Sequence, residues 1–253
     1  MDFELIGISL PRLLSGAVLT IELVVVSLVL GMCLAIPLAV MRASRNPVLW
    51  MPAYAYIFYF RGTPLLVQIY LTYYGLGQFE FLRESFLWPI FREAYWCAII
   101  AFTLNTAAYT AEILRGAIQA VPVGEVEAAR ACGMPRLLVF RRIILPKAYR
   151  LALPAYSNEV ILMLKASALA GVITLLELFG TTRVIVARSF APYELYITAA
   201  LIYLAMTVVI TRAFKGVEYR LSPHLREAPE EAIGPAALAT EVERKTVPGV
   251  SAE

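Results

Sequence analysis

Two ionisable side chains, Arg61 and Glu159, lie inside long apolar runs of this sequence, and the chemistry they offer is binding rather than bond making. A carboxylate such as Glu159 holds a cation. An arginine such as Arg61 holds a carboxylate through a planar, two-pronged fork of donors. Asn158, Gln68 and Thr63 stand near them in the chain and offer hydrogen bonds to polar groups of a solute. No nucleophile, base and orienting group converge in one motif, so no catalytic residue is expected. Cys33, Cys97 and Cys132 are scattered and His224 is the single histidine, so the spacing of a metal site is lacking.

The elements that must position these groups follow from composition. Hydrophobic residues make up 60% of the chain, and the mean hydropathy is +0.72. A soluble domain of this length carries far more charge. Runs of roughly twenty apolar residues read as membrane crossings, and with so few of them only helices satisfy the backbone in lipid. The sequence predicts an all-α integral membrane protein with about five transmembrane helices, at about 14–41, 52–78, 95–118, 151–176 and 194–214. Glu22 is the one charge in the first. The start, MDFELIG, lacks the basic residues of a cleaved signal, so this first segment is expected to remain as a span.

Three loops are basic. Arg42 and Arg45 follow the first span; Arg130, Arg136, Arg141, Arg142, Lys147 and Arg150 follow the third; Arg212, Lys215 and Arg220 follow the fifth. Basic loops stay in the cytosol, which puts the N-terminus outside and the C-terminus inside. Residues 1–221 read as one transmembrane domain with a polar insert at about 121–147. Residues 222–253, with four prolines and several glutamates, read as a disordered cytosolic tail.

Arg61 and Glu159 each lie eight or nine residues beyond the start of their spans, about 12–14 Å deep at 1.5 Å per residue. Charges at that depth face a cavity or a partner. The two either pair with each other, joining the second and fourth spans, or line one pocket. Gly62-Thr63-Pro64 breaks the helix beside Arg61, which suits either a solute path or a packing kink.

In the insert, Pro122 opens a short helix over 123–132, Gly133 ends it, and Pro135 starts a second helix that Pro146 interrupts or kinks. Such a helix-turn-helix could lie on anionic lipid. Its motif points elsewhere. Glu127-Ala128-Ala129, three residues, Gly133, nine residues, then Ile143-Ile144-Leu145-Pro146 resembles the EAA motif of permeases in binding-protein-dependent ABC importers. Phe60 to Gln68 and Asn105 to Gly116 resemble the second- and third-span signatures of the polar amino acid group. Tyr156 to Met163 is similar to permeases for histidine, other basic amino acids and opines.

The resemblance covers about residues 10–220 and implies a type I ABC importer permease fold. It implies that Glu127, Ala128, Ala129, Gly133 and Met134 dock on an ATP-binding cassette subunit. It favours Glu159 and Asn158 as substrate contacts. Two copies of the ATPase, a second related permease and a periplasmic solute-binding protein are the implied partners, in the bacterial inner membrane, with no nucleic acid. The chain lacks a glycine-rich phosphate loop followed by lysine, so ATP and magnesium are expected on the ATPase and no cofactor here. An ion-gradient transporter, or a structural subunit without substrate, is the alternative.

Overall fold

The computed structural model describes residues 3–221 of the chain, and these are helical almost throughout. Helix α1 spans Phe3–Arg42, α2 Pro47–Gly62 and α3 Leu65–Tyr70. A π-helical turn, Leu71–Gly75, and a 3-10 turn, Leu76–Gln78, continue α3. Two single turns follow, α4 at Glu80–Arg83 and α5 at Trp88–Phe91, before the long α6 at Ala94–Gln119. The insert holds α7, Val123–Ala131, and α8, Arg136–Val139. Then come α9, Leu145–Ala166, a 3-10 stretch Ser167–Ile173, α10, Leu178–Ser189, and α11, Pro192–Leu221.

Among the described residues, four helical stretches are long and apolar enough to cross a bilayer: Phe3–Arg42, Ala94–Gln119, Arg136–Ile173 and Pro192–Leu221. The fifth expected crossing, about 52–78, is helical but divided at Thr63-Pro64 into α2 and α3. The tail expected beyond residue 221 lies outside the described residues.

The core sits where α1, α6 and α9 meet. Leu23, Val24 and Leu28 of α1 interlock with Ile99 and Phe102 of α6 and with Val160, Met163 and Leu164 of α9. A second seam is built of small residues. Ala35 and Ala39 of α1, Ala53 of α2, and Ala107, Ala108 and Ala111 of α6 let three backbones approach closely, and close approach is the main source of helix affinity in lipid. Gly31 lies on this contact: a Cβ there would meet the Thr106 methyl group. The outer face of α11 remains largely exposed.

Helix α10 is fixed by a residue that hydropathy placed in a loop. Glu177 is fully buried and caps α10. Its carboxylate accepts from the backbone N–H groups of Phe179 at 2.8 Å and Gly180 at 2.6 Å, and from the Tyr203 hydroxyl of α11 at 3.0 Å. The Thr20 hydroxyl of α1 stands 3.4 Å away and also accepts from Leu178 N–H at 3.1 Å. One side chain thus ties α1, α10 and α11 together.

Candidate functional site

Pro64 carries no N–H, so it cannot complete the helical bond to the carbonyl of Phe60. Two side-chain amides replace it. Gln68 Nε2 donates to Phe60 O at 2.9 Å and Asn105 Nδ2 donates to the same oxygen at 3.3 Å. Gln68 Nε2 also reaches Thr63 O and Thr63 Oγ1, at 3.1 and 2.8 Å, and Gln68 Oε1 accepts from Asn105 Nδ2 at 3.0 Å. The helix can break here because Gln68 of α3 and Asn105 of α6 satisfy the backbone it frees.

The break opens a cleft of about 460 Å³. Its walls are Arg61, Gly62, Thr63 and Pro64 at the break, Asn105 and Tyr109 of α6, and Glu159, Leu162 and Met163 of α9. Glu159 is 6% exposed, and its Oε1 accepts from the Thr106 hydroxyl at 3.0 Å. Arg61 and Glu159 share this cleft without forming an ion pair. Arg61 instead lies over the Tyr109 ring, 5.2 Å from its centre. Of the two sequence expectations, a direct pair or a shared pocket, the geometry is that of the pocket. A carboxylate facing a guanidinium across a cavity can hold a zwitterion, or a solute with a cation at one end and a carboxylate at the other.

Not all the sequence candidates line this wall. Gln68 is buried and off the cleft, its amide engaged at the helix break. Thr63 lines the cleft, but its hydroxyl donates to Tyr59 O at 2.8 Å. Asn158 is exposed beside the cleft rather than on it, because its neighbour Glu159 takes the inward face of α9. Thr106 and Tyr109 were missed. Asn105, Tyr109 and Glu112 are spaced four and three apart and so share one face of α6, a polar stripe on an otherwise apolar span that marks the cleft.

The insert folds as its spacing predicts. Pro122 sits at the N-cap of α7, and Gly133 has φ +78°. Met134 N–H bonds Ala129 O at 3.2 Å and Gly133 N–H bonds Arg130 O at 2.9 Å, the paired bonds of a left-handed glycine cap. Glu127, Ala128 and Gly133 are exposed, Ala129 is buried and Met134 half-buried. Val123 and Leu137 are 67% and 78% exposed. Apolar groups held out on a polar insert mark an unpartnered contact face.

One expectation changes. Pro146 does not separate the insert from the fourth crossing. α8, a π-helical turn at Phe140–Ile144, and α9 form one continuous rod. The wider turn just before Pro146 accommodates the ring without ending the helix. An ion pair between Lys147 and Glu125 fastens α7 to this rod. From Arg136 to Glu159 the rod runs about 35 Å at 1.5 Å per residue, so a push on the insert reaches the cleft through unbroken helix.

A bundle of helices long and apolar enough to cross a membrane, a solute-sized polar cleft at a helix break, and a continuous helix leading from it to a polar elbow fit a membrane transport subunit. The chain belongs to the binding-protein-dependent transport system inner membrane components, a family that matches residues 27–223. It is similar to the octopine transport system permease protein of Rhizobium meliloti, 54% identical over 85% of this chain and 88% of that protein. It is also similar to the nopaline transport system permease protein of Agrobacterium fabrum, 48% identical over 89% and 94% of the two chains. The histidine/lysine/arginine/ornithine transport system permease protein of Escherichia coli is 43% identical over 84% and 90%. Among solved structures, an amino acid ABC transporter crystallised with histidines matches with a TM-score of 0.79 at 34% identity, over 87% of this chain and 99% of that one. The methionine transporter MetNI, at 20% identity and a TM-score of 0.69, shares the fold. The protein is thus a multi-pass inner-membrane component of an importer.

Proposed function

We propose that this chain forms half of the translocation pathway of an ABC importer for basic amino acids or opines. Glu159 holds the cationic end of the solute and Arg61 a carboxylate. One observation carries the reading: the helix that brings Glu159 to the cleft opposite Arg61 runs unbroken back to Arg136, where the Gly133 turn and the Lys147–Glu125 ion pair join it to α7 and its Glu127-Ala128-Ala129 motif. The solute site and the elbow are thus mechanically connected. The names of the octopine, nopaline and basic amino acid relatives support the substrate class, since each of those solutes carries a cation beside a carboxylate.

In this reading the elbow faces the cytosol, in keeping with the basic loops, and Glu127, Ala128, Ala129, Gly133 and Met134 dock on one of two ATPase subunits. ATP and magnesium sit on those subunits. A second, related permease closes the cleft opposite Leu162 and Asn158, and a periplasmic binding protein delivers the solute. Closure of the ATPases draws the elbows together and turns the cleft outward; hydrolysis resets it.

The test is uptake of labelled arginine by proteoliposomes holding this chain with its co-expressed partners and binding protein. ATP-dependent uptake that falls sharply in Glu159→Gln, with complex yield unchanged, is expected. Uptake that ignores ATP and collapses with an ionophore would sink the reading.

A further inference from the structure

A second cleft, of about 290 Å³, adjoins the first and shares Arg61, Gly62 and Tyr109 with it. Its other walls are Arg42, Tyr54, Ile57, Phe58 and Glu112. It continues the same polar stripe of α6 from Asn105 to Glu112, about 10 Å at 1.5 Å per residue. It opens toward the end of the bundle that carries the insert, since Arg42 ends α1 and Glu112 lies near the end of α6 that leads into α7.

The charge in this second cleft is unbalanced. Glu112 is already ion-paired with Arg115, which stands outside the cleft. Arg42 and Arg61 keep their charge. Both lie within electrostatic reach of Glu112, but neither forms an ion pair with it. Each guanidinium is held in place by aromatic rings: Arg42 stands 4.9 Å over Tyr54 and 5.8 Å over Trp50, and Arg61 stands over Tyr109. The buried Nε of Arg42 has no hydrogen-bond partner. Two oriented guanidinium groups with spare donors are built to receive an anion, above all a carboxylate.

We propose that the Arg42 cleft is a carboxylate station. It takes the second acid group of a solute whose cationic end rests at Glu159 and whose first carboxylate is held by Arg61. This deepens the proposed function and rests on it. The ligand class is a basic amino acid whose α-nitrogen carries a carboxyalkyl group, an extended molecule with a side-chain cation, a secondary ammonium and two carboxylates. A plain basic amino acid has no second acid group and needs only Glu159 and Arg61. Arg42 is then the residue that separates the two classes.

The experiment uses the full complex with its binding protein in proteoliposomes, with arginine and octopine as labelled probes. The wild type is expected to take up both. Arg42→Gln is expected to lower octopine uptake about tenfold, the loss of one charge-assisted contact, and to leave arginine uptake within about twofold. Arg42→Lys keeps the charge but loses the fork. It is expected to lower octopine uptake by about threefold and to serve as the test if Arg42→Gln does not assemble. Equal loss of both solutes, or loss of neither, overturns the station. Wild-type uptake of arginine without octopine also overturns it, while leaving the importer reading intact. Uptake of neither by the wild type removes the importer reading itself. Vesicles of zwitterionic lipid alone should give the same octopine-to-arginine ratio. A selective loss seen only with anionic lipid would assign the cleft to a phospholipid headgroup and overturn the proposal.

Discussion

Glu159 and Glu177 are both buried carboxylates among membrane helices, yet they differ in what is left over for a ligand. Three donors reach Glu177 at 3.0 Å or less: the backbone N–H groups of Phe179 and Gly180 and the Tyr203 hydroxyl, with the Thr20 hydroxyl, which donates to Gly16 O at 3.0 Å, standing 3.4 Å away. An ionised carboxyl has about four acceptor positions, so most of the capacity of Glu177 is taken up inside the fold. Glu159 accepts one side-chain hydrogen bond, from Thr106, and its open side faces a cleft with Arg61 across it. A buried charge engaged by donors from several helices holds the fold together. One that keeps acceptor positions open toward a cavity has capacity left for a ligand. Burial alone does not separate the two, since Glu177 is the more deeply buried.

The comparison breaks most visibly at Glu177. Glu177→Ala leaves two N–H groups and the Tyr203 hydroxyl without their acceptor, which costs about 3 kcal/mol or more. We expect loss of the folded subunit, read as collapsed yield and a lower melting temperature of the purified complex. A variant that assembled and transported normally would end the contrast. Glu159→Gln should do the reverse. It keeps the shape and the Thr106 bond but removes the charge, worth about 2 kcal/mol to a cationic solute, or some thirtyfold in uptake. Its yield and melting temperature should match those of the wild type.

A third position separates transport from both. Gly133 holds φ +78° at the end of α7, where a residue with a Cβ costs roughly 1 kcal/mol. Gly133→Asp should leave the protein in the membrane with Glu159 intact, yet lower uptake about tenfold through a misplaced elbow. The measurement is solute moved per ATP hydrolysed, and an unchanged ratio would remove the lever. The smallest effect sharpens the Glu159 side. Gly31→Ala sets a methyl group against that of Thr106. It should turn the hydroxyl off Glu159 at a cost of about 1 kcal/mol, roughly fivefold in uptake. Adding Thr106→Ser removes the clashing methyl group and should restore uptake; no rescue would mean that Thr106 does not position Glu159.

What was legible in the sequence was whatever depends on near neighbours in the chain. Hydropathy located the four long apolar helices, and Pro64 announced that the other expected crossing, about 52–78, divides into α2 and α3. Pro122 and Gly133 bounded α7, because caps and left-handed turns are decided within a few residues. Pro146 predicts an interruption or a kink, because a proline disturbs a helix; the π-helical turn ahead of it absorbs the ring and the helix continues. The sequence expectation for Gln68 is a solute contact, since an amide near Arg61 offers useful donors. The carbonyl that Pro64 frees claims that amide first, and only the packing of α3 and α6 reveals it.

By itself, then, the sequence determined that this is a helical membrane protein, where its long apolar helices run, that a polar elbow separates two of them, and which few charges lie within its apolar runs. Tertiary structure alone decided which of those charges is free. Thr106 and Glu159 are 53 residues apart, and Thr20 and Glu177 are 157 apart. Propensity and hydropathy are set by adjacent residues, whereas the saturation of a buried charge is set by whichever donors the packed helices bring to it.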